Sequence, residues 1–335
     1  MVSSILTAMV RVGLVGCGFM GQMHATVYGQ LENAELVGVF DSSPDRGQPF
    51  ADKHSTKYFS DFESLAAEVD VIDICLPTYR HCEFTLMAAA LKKHVLCEKP
   101  MALNMEEARR MKVACEEAGV RLMIAHCIRF WPEYALLKQI AITGHLGDLL
   151  SVNLTRYGEF PHWGSNNWLA DESKAGGGAL DMHIHDTDFA LFLLGEPKEI
   201  FSAGSIDAKG VSHIFSTFVY NKAICHLEGG WNMPPGTPFK MAFRAVFEQG
   251  AVIMDDCPMT VYEKGKDPYL PEFPKMEATG GGNISDLGGY YHEIAHFIDR
   301  LESGKPFDVT TPDTSLQSLQ LTLREIEQVK SRAAQ

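Results

Sequence analysis

A glycine-rich turn between two short apolar segments constrains the fold of this chain more than any other feature. The apolar residues 12–15 predict a short buried strand, which leads into Gly16-Cys17-Gly18-Phe19-Met20-Gly21. A helical pattern follows over about residues 22–31, and a second predicted strand, residues 35–40, ends on Asp41. Strand, glycines, helix and strand in this order predict a βαβ unit that binds a dinucleotide.

Each position of this turn has its own predicted task. Gly16 allows a tight turn, Gly18 leaves room for a pyrophosphate, and Gly21 allows helix and strand to pack closely. Phe19 and Met20 lie between these glycines, just before the helix whose free N–H groups attract phosphate, and both are assigned to the cofactor site. The alternative is a glycine turn with a purely structural use.

The second strand carries the residues that bear on the choice of cofactor. The Asp41 carboxylate is expected to accept hydrogen bonds from the adenosine ribose hydroxyls, and Ser42 is assigned to the same site. The negative charge of Asp41 would repel a 2′-phosphate, and Ser42 and Ser43 supply no cation to hold one. NAD is therefore favoured over NADP, although Arg46 is close enough in sequence to weaken this preference.

Composition limits the size, the partners and the location of the protein. A chain of 335 residues suggests two domains, and its net charge of −14 argues against a nucleic acid or an anionic membrane as partner. No apolar run reaches the roughly 18 to 20 residues of a transmembrane helix, and residues 1–9 lack the charged start of a secretory signal. The eight cysteines show no zinc-site spacing, so no metal and a cytoplasmic protein with reduced thiols are predicted.

The predicted elements divide into two domains at residues 127/128. Over residues 9–127 strands alternate with helices, which predicts a doubly wound parallel sheet of the Rossmann type. Residues 128–335 carry strands with period-two character and two closing helices, which predicts an α/β domain with an antiparallel sheet that has one free face. The last helix is allowed to pack back on the first domain, and residues 264–285, rich in Pro and Gly, are predicted to be a mobile loop.

Two predicted strands of the first domain end in polar turns, at Leu76-Pro77-Thr78 and at Glu98-Lys99-Pro100. Ligands of open parallel sheets bind beyond the carboxyl ends of the strands. The residues of these turns assigned to the cofactor crevice are Leu76, Pro77, Thr78, His81, Glu98 and Lys99. A solvated loop cation is the alternative for Lys99, but a strand end followed by proline favours a role in the site.

A second motif begins with Gly176-Gly177-Gly178, where the backbone could approach a ligand closely. If the following segment is an α-helix, Asp181, His185 and Asp188 share one face, and a carboxylate one turn from an imidazole can support a general base. A capping Asp with a surface His is the structural alternative. Metal binding by His183, His185 and Asp188 is disfavoured because the two histidines point to different helix faces.

These motifs together resemble those of the Gfo/Idh/MocA oxidoreductases, which include glucose-fructose oxidoreductase and inositol dehydrogenase. The resemblance covers nearly the whole chain and rests on the glycine turn, on Glu98-Lys99-Pro100, on the glycines with Asp181 and His185, and on Tyr291-His292-Glu293 with Phe297. It implies a Rossmann domain followed by an α/β domain with a large, open, mainly antiparallel sheet. It also implies pairing through that sheet into homodimers or homotetramers.

The resemblance further implies residue roles. Lys99 would hydrogen-bond the reacting hydroxyl and ease its deprotonation, and His185 would take the hydroxyl proton with support from Asp181, while a hydride passes to the nicotinamide. Pro100 often follows a cis bond in this family. Position 183 is commonly Gly there and is His here, which leaves the shape of the local pocket open.

Polar and aromatic residues near the domain junction and before the glycines suggest the substrate class. Aromatic faces suit the C–H faces of a sugar and polar groups suit its hydroxyls, although each residue taken alone is as compatible with core packing. The cluster is Arg129, Tyr157, His162, Trp163, Asn166, Asn167 and Trp168, of which Arg129, Tyr157, Trp163 and Trp168 join Lys99, Asp181 and His185 as substrate residues. Tyr290 or Tyr291 is a further candidate.

The leading hypothesis is an NAD-dependent dehydrogenase or reductase that acts on a secondary hydroxyl of a cyclic polyol, sugar or keto-sugar. One alternative is a glycosidase that keeps NAD bound and cleaves by transient oxidation and elimination. The other is a non-catalytic NAD or sugar sensor, which the joint presence of Lys99, Asp181 and His185 disfavours.

Overall fold

The computed structural model describes residues 9–274 and 287–334, so part of the predicted 264–285 loop lies outside the described residues. The described chain divides into two compact units. The first unit contains residues 9–102, 106–127 and 287–313, and the second contains residues 103–105, 128–274 and 314–334. No helix in these described ranges has both the length and the apolar character needed to cross a bilayer.

The first unit is built on a six-stranded parallel sheet. Its strands are β1 (Val10–Val15), β2 (Ala34–Phe40), β3 (Lys57–Phe59), β4 (Val71–Ile74), β5 (His94–Glu98) and β6 (Leu122–Ala125). They pair in the order β3-β2-β1-β4-β5-β6. Every residue of β4 and β6 is buried, as expected for strands covered on both faces. The predicted doubly wound parallel sheet is confirmed.

Helices connect these strands, and one helix from late in the chain joins them. The helices are α1 (Phe19–Tyr28), α2 (Pro44–Lys53), α3 (Phe62–Ala67), α4 (His81–Ala90), α5 (Met105–Ala118) and α9 (Gly288–Ser303), with a 3₁₀ turn at Thr78–Arg80. Helix α9 packs against α1. Its buried stripe includes Ile294, Phe297 and Ile298, at the spacing of one helix face.

The position of α9 differs from the sequence-based division. The sequence predicts that all residues after 127 belong to the second domain and that only the last helix can pack back on the first. In the structure α9 belongs to the first unit, whereas the last helix, α10 (Pro312–Ala333), groups with the second unit from Thr314 onward. The ring of Phe307 stacks on Phe297, with 5.5 Å between centroids, and so holds the segment after α9 against that helix.

The second unit is built on a seven-stranded sheet. Its strands are β7 (Leu149–Glu159), β8 (Glu199–Asp207), β9 (Gly210–Val219), β10 (Ile224–Met233), β11 (Lys240–Phe247), β12 (Gly250–Met254) and β13 (Thr260–Glu263). They pair in the order β13-β12-β11-β7-β10-β9-β8, and only β7 and β10 are parallel. The predicted mainly antiparallel sheet is confirmed.

One face of this sheet is covered and the other is open. The helical elements are α6 (Pro132–Thr143), α7 (Glu172–Ala175), a π-helical turn (Ala179–His183), α8 (Ile184–Leu194) and α10, with 3₁₀ turns at Cys127–Phe130 and Ser165–Ala170. Arg156 of β7 lies on the covered face, where its Nε is 2.9 Å from Oδ2 of Asp186 in α8. The open face exposes apolar side chains, among them Phe201, Phe215 and Ile224.

Candidate active site

The glycine turn between β1 and α1 has the geometry of a phosphate cradle. Gly16 has a φ of +103°, and a Cβ there would lie 2.5 Å from the carbonyl oxygen of Cys75. A Cβ on Gly21 would lie 2.0 Å from the carbonyl oxygen of Gly16, so the third glycine lets the helix pack against the turn. A Cβ on Gly18 would meet no atom within 4 Å. The turn therefore has open space at its middle glycine, as binding of a pyrophosphate requires.

Helix α1 begins directly after this open position. Gly18 is its N-cap and provides no side-chain cap, and the first turn contains no acidic residue. An uncapped helix N-terminus of this kind favours an anion through its N–H groups and its dipole. The residues present thus fit the phosphates of a dinucleotide. Phe19 and Met20 are half-buried, and Met20 packs on the apolar cluster that contains Leu14 and Val39.

Asp41 lies at the end of β2, but its carboxylate already has several partners. Oδ2 accepts a hydrogen bond from the Cys17 N–H at 3.0 Å, and Oδ1 accepts one from the Ser43 N–H at 2.8 Å. The Arg46 guanidinium also binds this carboxylate, with Nη2 2.7 Å from Oδ1. Ser42 is exposed. The cation that was expected only to weaken the NAD preference therefore directly compensates the charge of Asp41.

The two polar turns of the first unit are joined by His81. Its Nε2 lies 2.8 Å from the carbonyl oxygen of Leu76, and its Nδ1 lies 2.9 Å from that of Pro100. His81 is 1% exposed, and burial lowers its pKa. Both ring nitrogens lie within hydrogen-bond distance of the two turns, and the assignment of His81 as a cofactor contact stays a prediction. Leu76 and Pro77 are half-buried, whereas Thr78 is buried.

The Glu98-Lys99-Pro100 segment has the cis peptide bond between Lys99 and Pro100 that the resemblance implies. Glu98 is 4% exposed; its Oε1 lies 3.1 Å from Nε2 of His24, and its Oε2 accepts the Lys99 N–H at 3.0 Å. Burial opposes ionisation, but the hydrogen bond and charge of His24 hold the pKa of Glu98 below its usual range. The assignment of Glu98 as a cofactor contact is corrected, because its carboxylate is committed to the interior. Lys99 itself is half-buried.

In the second unit, Asp181 and His185 share the accessible side of their segment. Asp181, Met182 and His185 are half-buried, whereas His183, Ile184 and residues 186–190 are buried. The π-helical turn places Asp181 in a wider turn than an α-helix and ends just before α8. The structure thus leaves both predicted catalytic side chains partly accessible, and their catalytic roles stay a prediction.

The three glycines before this turn pack against protein, which corrects the expectation that their backbone approaches a ligand. A Cβ on Gly177 would lie 3.1 Å from the carbonyl oxygen of Lys209. A Cβ on Gly178 would lie 2.8 Å from the carbonyl oxygen of Ser212 and 3.0 Å from the ring of Trp231. The absence of side chains here lets the turn lie directly on β9 and β10.

Asp188 and Arg129 form a buried ion pair with each other and are not assigned to the candidate site. The guanidinium of Arg129 binds the Asp188 carboxylate through Nε at 2.8 Å and Nη2 at 2.7 Å. The Ser318 hydroxyl donates to the same carboxylate at 2.6 Å, and Arg129 is 3% exposed. Arg129 is therefore corrected from a substrate residue to a structural one. The α-helical face that was to join Asp188 to Asp181 does not form, because the π-helical turn changes the period.

His183 points into the interior of its unit. Its Nε2 lies 2.9 Å from Oε1 of Glu325 in α10, and a Cβ on Gly229 would lie 2.6 Å from its Nδ1. The glycine in β10 thus makes room for the imidazole. The trio His183, His185 and Asp188 is not among the converging groups of ligand-type atoms within residues 9–274 and 287–334.

The aromatic candidates are dispersed. Tyr157 lies on the open face of the sheet, because strand side chains alternate and its neighbour Arg156 contacts α8 on the covered face. Its assignment to the substrate stays a prediction. Trp168 packs on the cluster of Leu169, Ala175 and Trp231. Trp163 is 52% exposed and stays a substrate candidate. His162, Asn166 and Asn167 are exposed, Tyr291 is half-buried and Tyr290 is buried.

The sequence reasoning missed a buried cluster of ionisable side chains in the first unit. It contains His24 and Tyr28 of α1, Asp73 of β4 and Glu293 of α9, together with Glu98. The one available signal was Asp73, a carboxylate within the otherwise apolar strand β4. Ligand-type atoms of His24, Glu98 and Glu293 all lie within 4.8 Å of one another, a convergence that sequence spacing cannot indicate.

Comparison with known proteins identifies the family. A family model described as an oxidoreductase family with a NAD-binding Rossmann fold matches residues 10–126, and one described as the GFO/IDH/MocA C-terminal domain matches residues 134–253. An uncharacterised oxidoreductase of Streptococcus pneumoniae is 33% identical over 278 residues, which cover 78% of this chain and 73% of that protein. The chain belongs to the Gfo/Idh/MocA oxidoreductase family. NAD is accordingly the cofactor of its Rossmann unit.

One further relative and one solved structure are similar to this chain. Glucose-6-phosphate 3-dehydrogenase of Bacillus subtilis is 31% identical over 211 residues, 60% of this chain and 57% of that enzyme. The chain spans between 51% and 58% of the length of the first three curated relatives that it matches. Levoglucosan dehydrogenase, solved with NADH and levoglucosan, shares the fold with a TM-score of 0.83 at 22% identity, over 96% of this chain and 97% of that chain.

Proposed function

We propose that this protein is an NAD-dependent oxidoreductase that transfers a hydride between the nicotinamide and a secondary hydroxyl or ketone of a cyclic polyol, sugar or keto-sugar. The observation that carries the proposal is the open backbone at Gly18 beside the uncapped start of α1, with Asp41 at the end of the next strand. Membership of an oxidoreductase family supports the reaction class.

The proposed roles divide between hydride and proton. NAD, when bound, supplies the acceptor or donor of the hydride. Lys99 donates a hydrogen bond to the reacting oxygen and stabilises the negative charge that develops on it. His185 accepts the hydroxyl proton as general base, and Asp181 stabilises the resulting imidazolium. The half-buried position of all three side chains supports these roles, because each is accessible and none is fully solvated.

The proposed substrate class follows from relatives and from exposed groups. Glucose-6-phosphate 3-dehydrogenase and levoglucosan dehydrogenase both carry the name of a sugar substrate. In this chain the exposed ring of Trp163 offers an apolar face to sugar C–H groups, and His162 and Asn166 beside it offer polar atoms. A polyol or sugar fits such a surface better than an apolar substrate does.

A panel of inositols, sugars and keto-sugars with NAD or NADH, followed by the absorbance of the reduced cofactor, tests the activity directly. Turnover of at least one secondary alcohol or ketone is expected. Release of a sugar or phenol without net NADH formation would favour the glycosidase alternative instead. Measurable NAD binding with no turnover of any compound would favour the sensor.

Variants of Lys99 and His185 test the proposed roles. Lys99→Ala or His185→Ala is expected to reduce turnover by roughly 10²- to 10⁴-fold while NAD still binds. If both residues act on one hydroxyl, the double variant is expected to lose less than the product of the two single losses. Strictly multiplicative losses would contradict action on a shared group, and unchanged turnover would remove the residue from the mechanism. Lys174→Ala, a half-buried lysine of α7 that pairs with Asp171, serves as control.

The assembly and location are proposals of the same kind. We infer that the open sheet face pairs with a second copy of the chain, because it exposes several large apolar side chains. The cytoplasmic location stays a prediction.

A further inference from the structure

Four ionisable side chains from four elements meet in the interior of the first unit. They are His24 of α1, Asp73 of β4, Glu98 of β5 and Glu293 of α9, and none is more than 4% exposed. Charged groups are seldom buried unless they are paired, because leaving water is costly. Their arrangement therefore needs an account of which atoms carry protons.

The hydrogen bonds around His24 determine its protonation. Its Nδ1 lies 2.8 Å from Oδ2 of Asp73, and its Nε2 lies 3.1 Å from Oε1 of Glu98. Asp73 also accepts hydrogen bonds from the Tyr28 hydroxyl at 2.9 Å and from the Cys75 thiol at 3.6 Å, so it is an acceptor throughout. Each ring nitrogen of His24 thus faces a carboxylate oxygen that accepts a hydrogen bond. Both nitrogens must therefore carry a hydrogen, and only an imidazolium has two N–H groups.

The second carboxylate oxygen of Glu98 connects this cation to Lys99. Oε2 accepts the backbone N–H of Lys99 at 3.0 Å, so one carboxylate links the buried imidazole to the half-buried residue that follows β5. A carboxylate held by charge-assisted bonds on both oxygens has little rotational freedom. The direction in which Lys99 leaves the strand is thus coupled to His24.

We propose that His24 is a positioning residue: a buried cation between Asp73 and Glu98 that fixes the Glu98 carboxylate and, through the Lys99 N–H, the direction of the Lys99 side chain. The proposal rests on the role proposed for Lys99. Misplacement of a reacting group by about 1 Å can reduce turnover by roughly 10²-fold, so such an indirect contact is large enough to measure.

The neighbouring groups support the charge assignment. Burial alone would lower the pKa of His24, but the charge of Asp73 and its hydrogen bond raise that pKa well above its ordinary value. Glu293 has no hydrogen-bond partner among the described residues, and burial, followed by the charge of Glu98, raises its pKa well above the ordinary value. Glu293 is therefore the neutral member of the cluster. Lys99 and His81 are the other titratable groups near Glu98, and Cys75 also faces His24.

The protonation of His24 can be measured without any activity. With ¹⁵N-labelled histidine, NMR of the full chain is expected to show the His24 imidazole with both nitrogens protonated at pH values well above the ordinary pKa of histidine. That signal should disappear in His24→Gln. A His24 ring that loses a proton near pH 6.5, or a metal ion retained at one per chain by His24, Glu98 and Glu293, would overturn the proposal.

Kinetics test the positioning itself. His24→Gln is expected to lower kcat by roughly 10- to 100-fold with the Kd of NAD changed less than about threefold, whereas His94→Gln, at the opposite end of β5, changes neither. In a Lys99→Ala background, His24→Gln should cause no further loss, because His24 acts through Lys99. If His24→Gln lowers kcat by the same factor in wild type and in Lys99→Ala, the proposal is overturned. If Lys99→Ala leaves turnover unchanged, the role proposed for Lys99 fails and the positioning role of His24 fails with it, whereas the NMR measurement still decides the protonation of His24. Should His24→Gln not fold, Glu98→Gln replaces it, with the same expected dependence on Lys99.

Discussion

Arg46 is the residue whose contact most changes the expectation for cofactor choice. Its guanidinium lies on Asp41, the carboxylate that is expected to hold the adenosine ribose and repel a 2′-phosphate. A compensated carboxylate repels phosphate less than a free one, because the cation offsets its field. Asp41 and Arg46 should therefore act on cofactor choice in opposite directions.

Titration of NAD and NADP into variants tests this pair. Asp41→Ala is expected to weaken the binding of NAD by roughly 10- to 100-fold, because charge-assisted hydrogen bonds to the ribose are lost. It should also reduce the preference of the protein for NAD over NADP. Arg46→Ala should widen that preference, because Asp41 is then uncompensated. Arg109→Ala, an exposed arginine of α5, is the matched control. A narrower preference in Arg46→Ala would show that Arg46 has no such effect on Asp41.

Residues differ in how far their roles could be predicted from sequence. The tasks of Gly16, Gly18 and Gly21 follow from local spacing, and the backbone geometry at Gly16 and Gly21 agrees with the predicted tight turn and close packing. The pyrophosphate contact of Gly18 stays a prediction. Arg129 could not be assigned in this way, since its partner Asp188 is 59 positions away and any basic residue near the domain junction has the same local pattern. His24 was missed for the same reason, because Asp73 and Glu98 are 49 and 74 positions from it.

At the scale of elements, the formation of the π-helical turn and the unit to which α9 belongs could not be predicted from periodicity. The spacing of Asp181, His185 and Asp188 was interpreted with the period of an α-helix, and one wider turn at Ala179–His183 removes Asp188 from the face. The apolar stripe of α9 predicts that one side is buried, but it carries no information on which unit it covers. Strands were easier, since fully apolar runs such as β6 and alternating runs such as β7 distinguish parallel from antiparallel sheets.

Glu293 of helix α9 should make the stability of the first unit depend on pH. The pKa of Glu293 is raised in the folded protein, so its contribution to stability is complete below the unfolded value and is lost as pH rises through the folded value. Glu293→Gln is neutral at every pH and should escape that loss. Its free energy of unfolding relative to wild type is expected to increase with pH, with a slope of up to about 1.4 kcal/mol per unit.

Urea unfolding followed by circular dichroism, at several values between about pH 5 and pH 9, measures this difference. Asp299→Asn, on the exposed side of the same helix, is the control. Its free energy of unfolding should change with pH in the same way as that of wild type. Parallel curves for Glu293→Gln as well would show that Glu293 is ionised in the folded protein, and the charge assignment of the cluster would then be wrong.

At the scale of the whole molecule, the division into two units was predicted better than the path of the chain. Alternating strands and helices up to residue 127 indicate one sheet, and period-two strands afterwards indicate another. The return of residues 287–313 to the first unit depends on contacts such as that of Asn33 with Glu302, 2.6 Å apart and 269 positions distant in sequence. No local pattern contains that information.

The open face of the second sheet leads to a prediction about assembly. Phe215 of β9 is 55% exposed, and Phe201 and Ile224 on the neighbouring strands are 49% and 43% exposed. Their registers place them on one face, since Phe201 pairs with Thr217 and Ile224 with Val219. Water contact of this much apolar surface is unfavourable, so pairing of two copies through the face should stabilise a dimer or tetramer.

Sedimentation equilibrium at several protein concentrations tests the proposed assembly. Phe215→Lys places a charge where two sheets would meet and is expected to shift the mass toward the monomer. Ile142→Lys is the matched control, because Ile142 is 65% exposed on α6 and lies away from the sheet face. A wild-type protein that stays monomeric at tens of micromolar, or an Ile142→Lys variant that dissociates as readily as Phe215→Lys, would show that this face does not pair. A dimer weakened only by Phe215→Lys would assign the apolar face to a second copy of the chain.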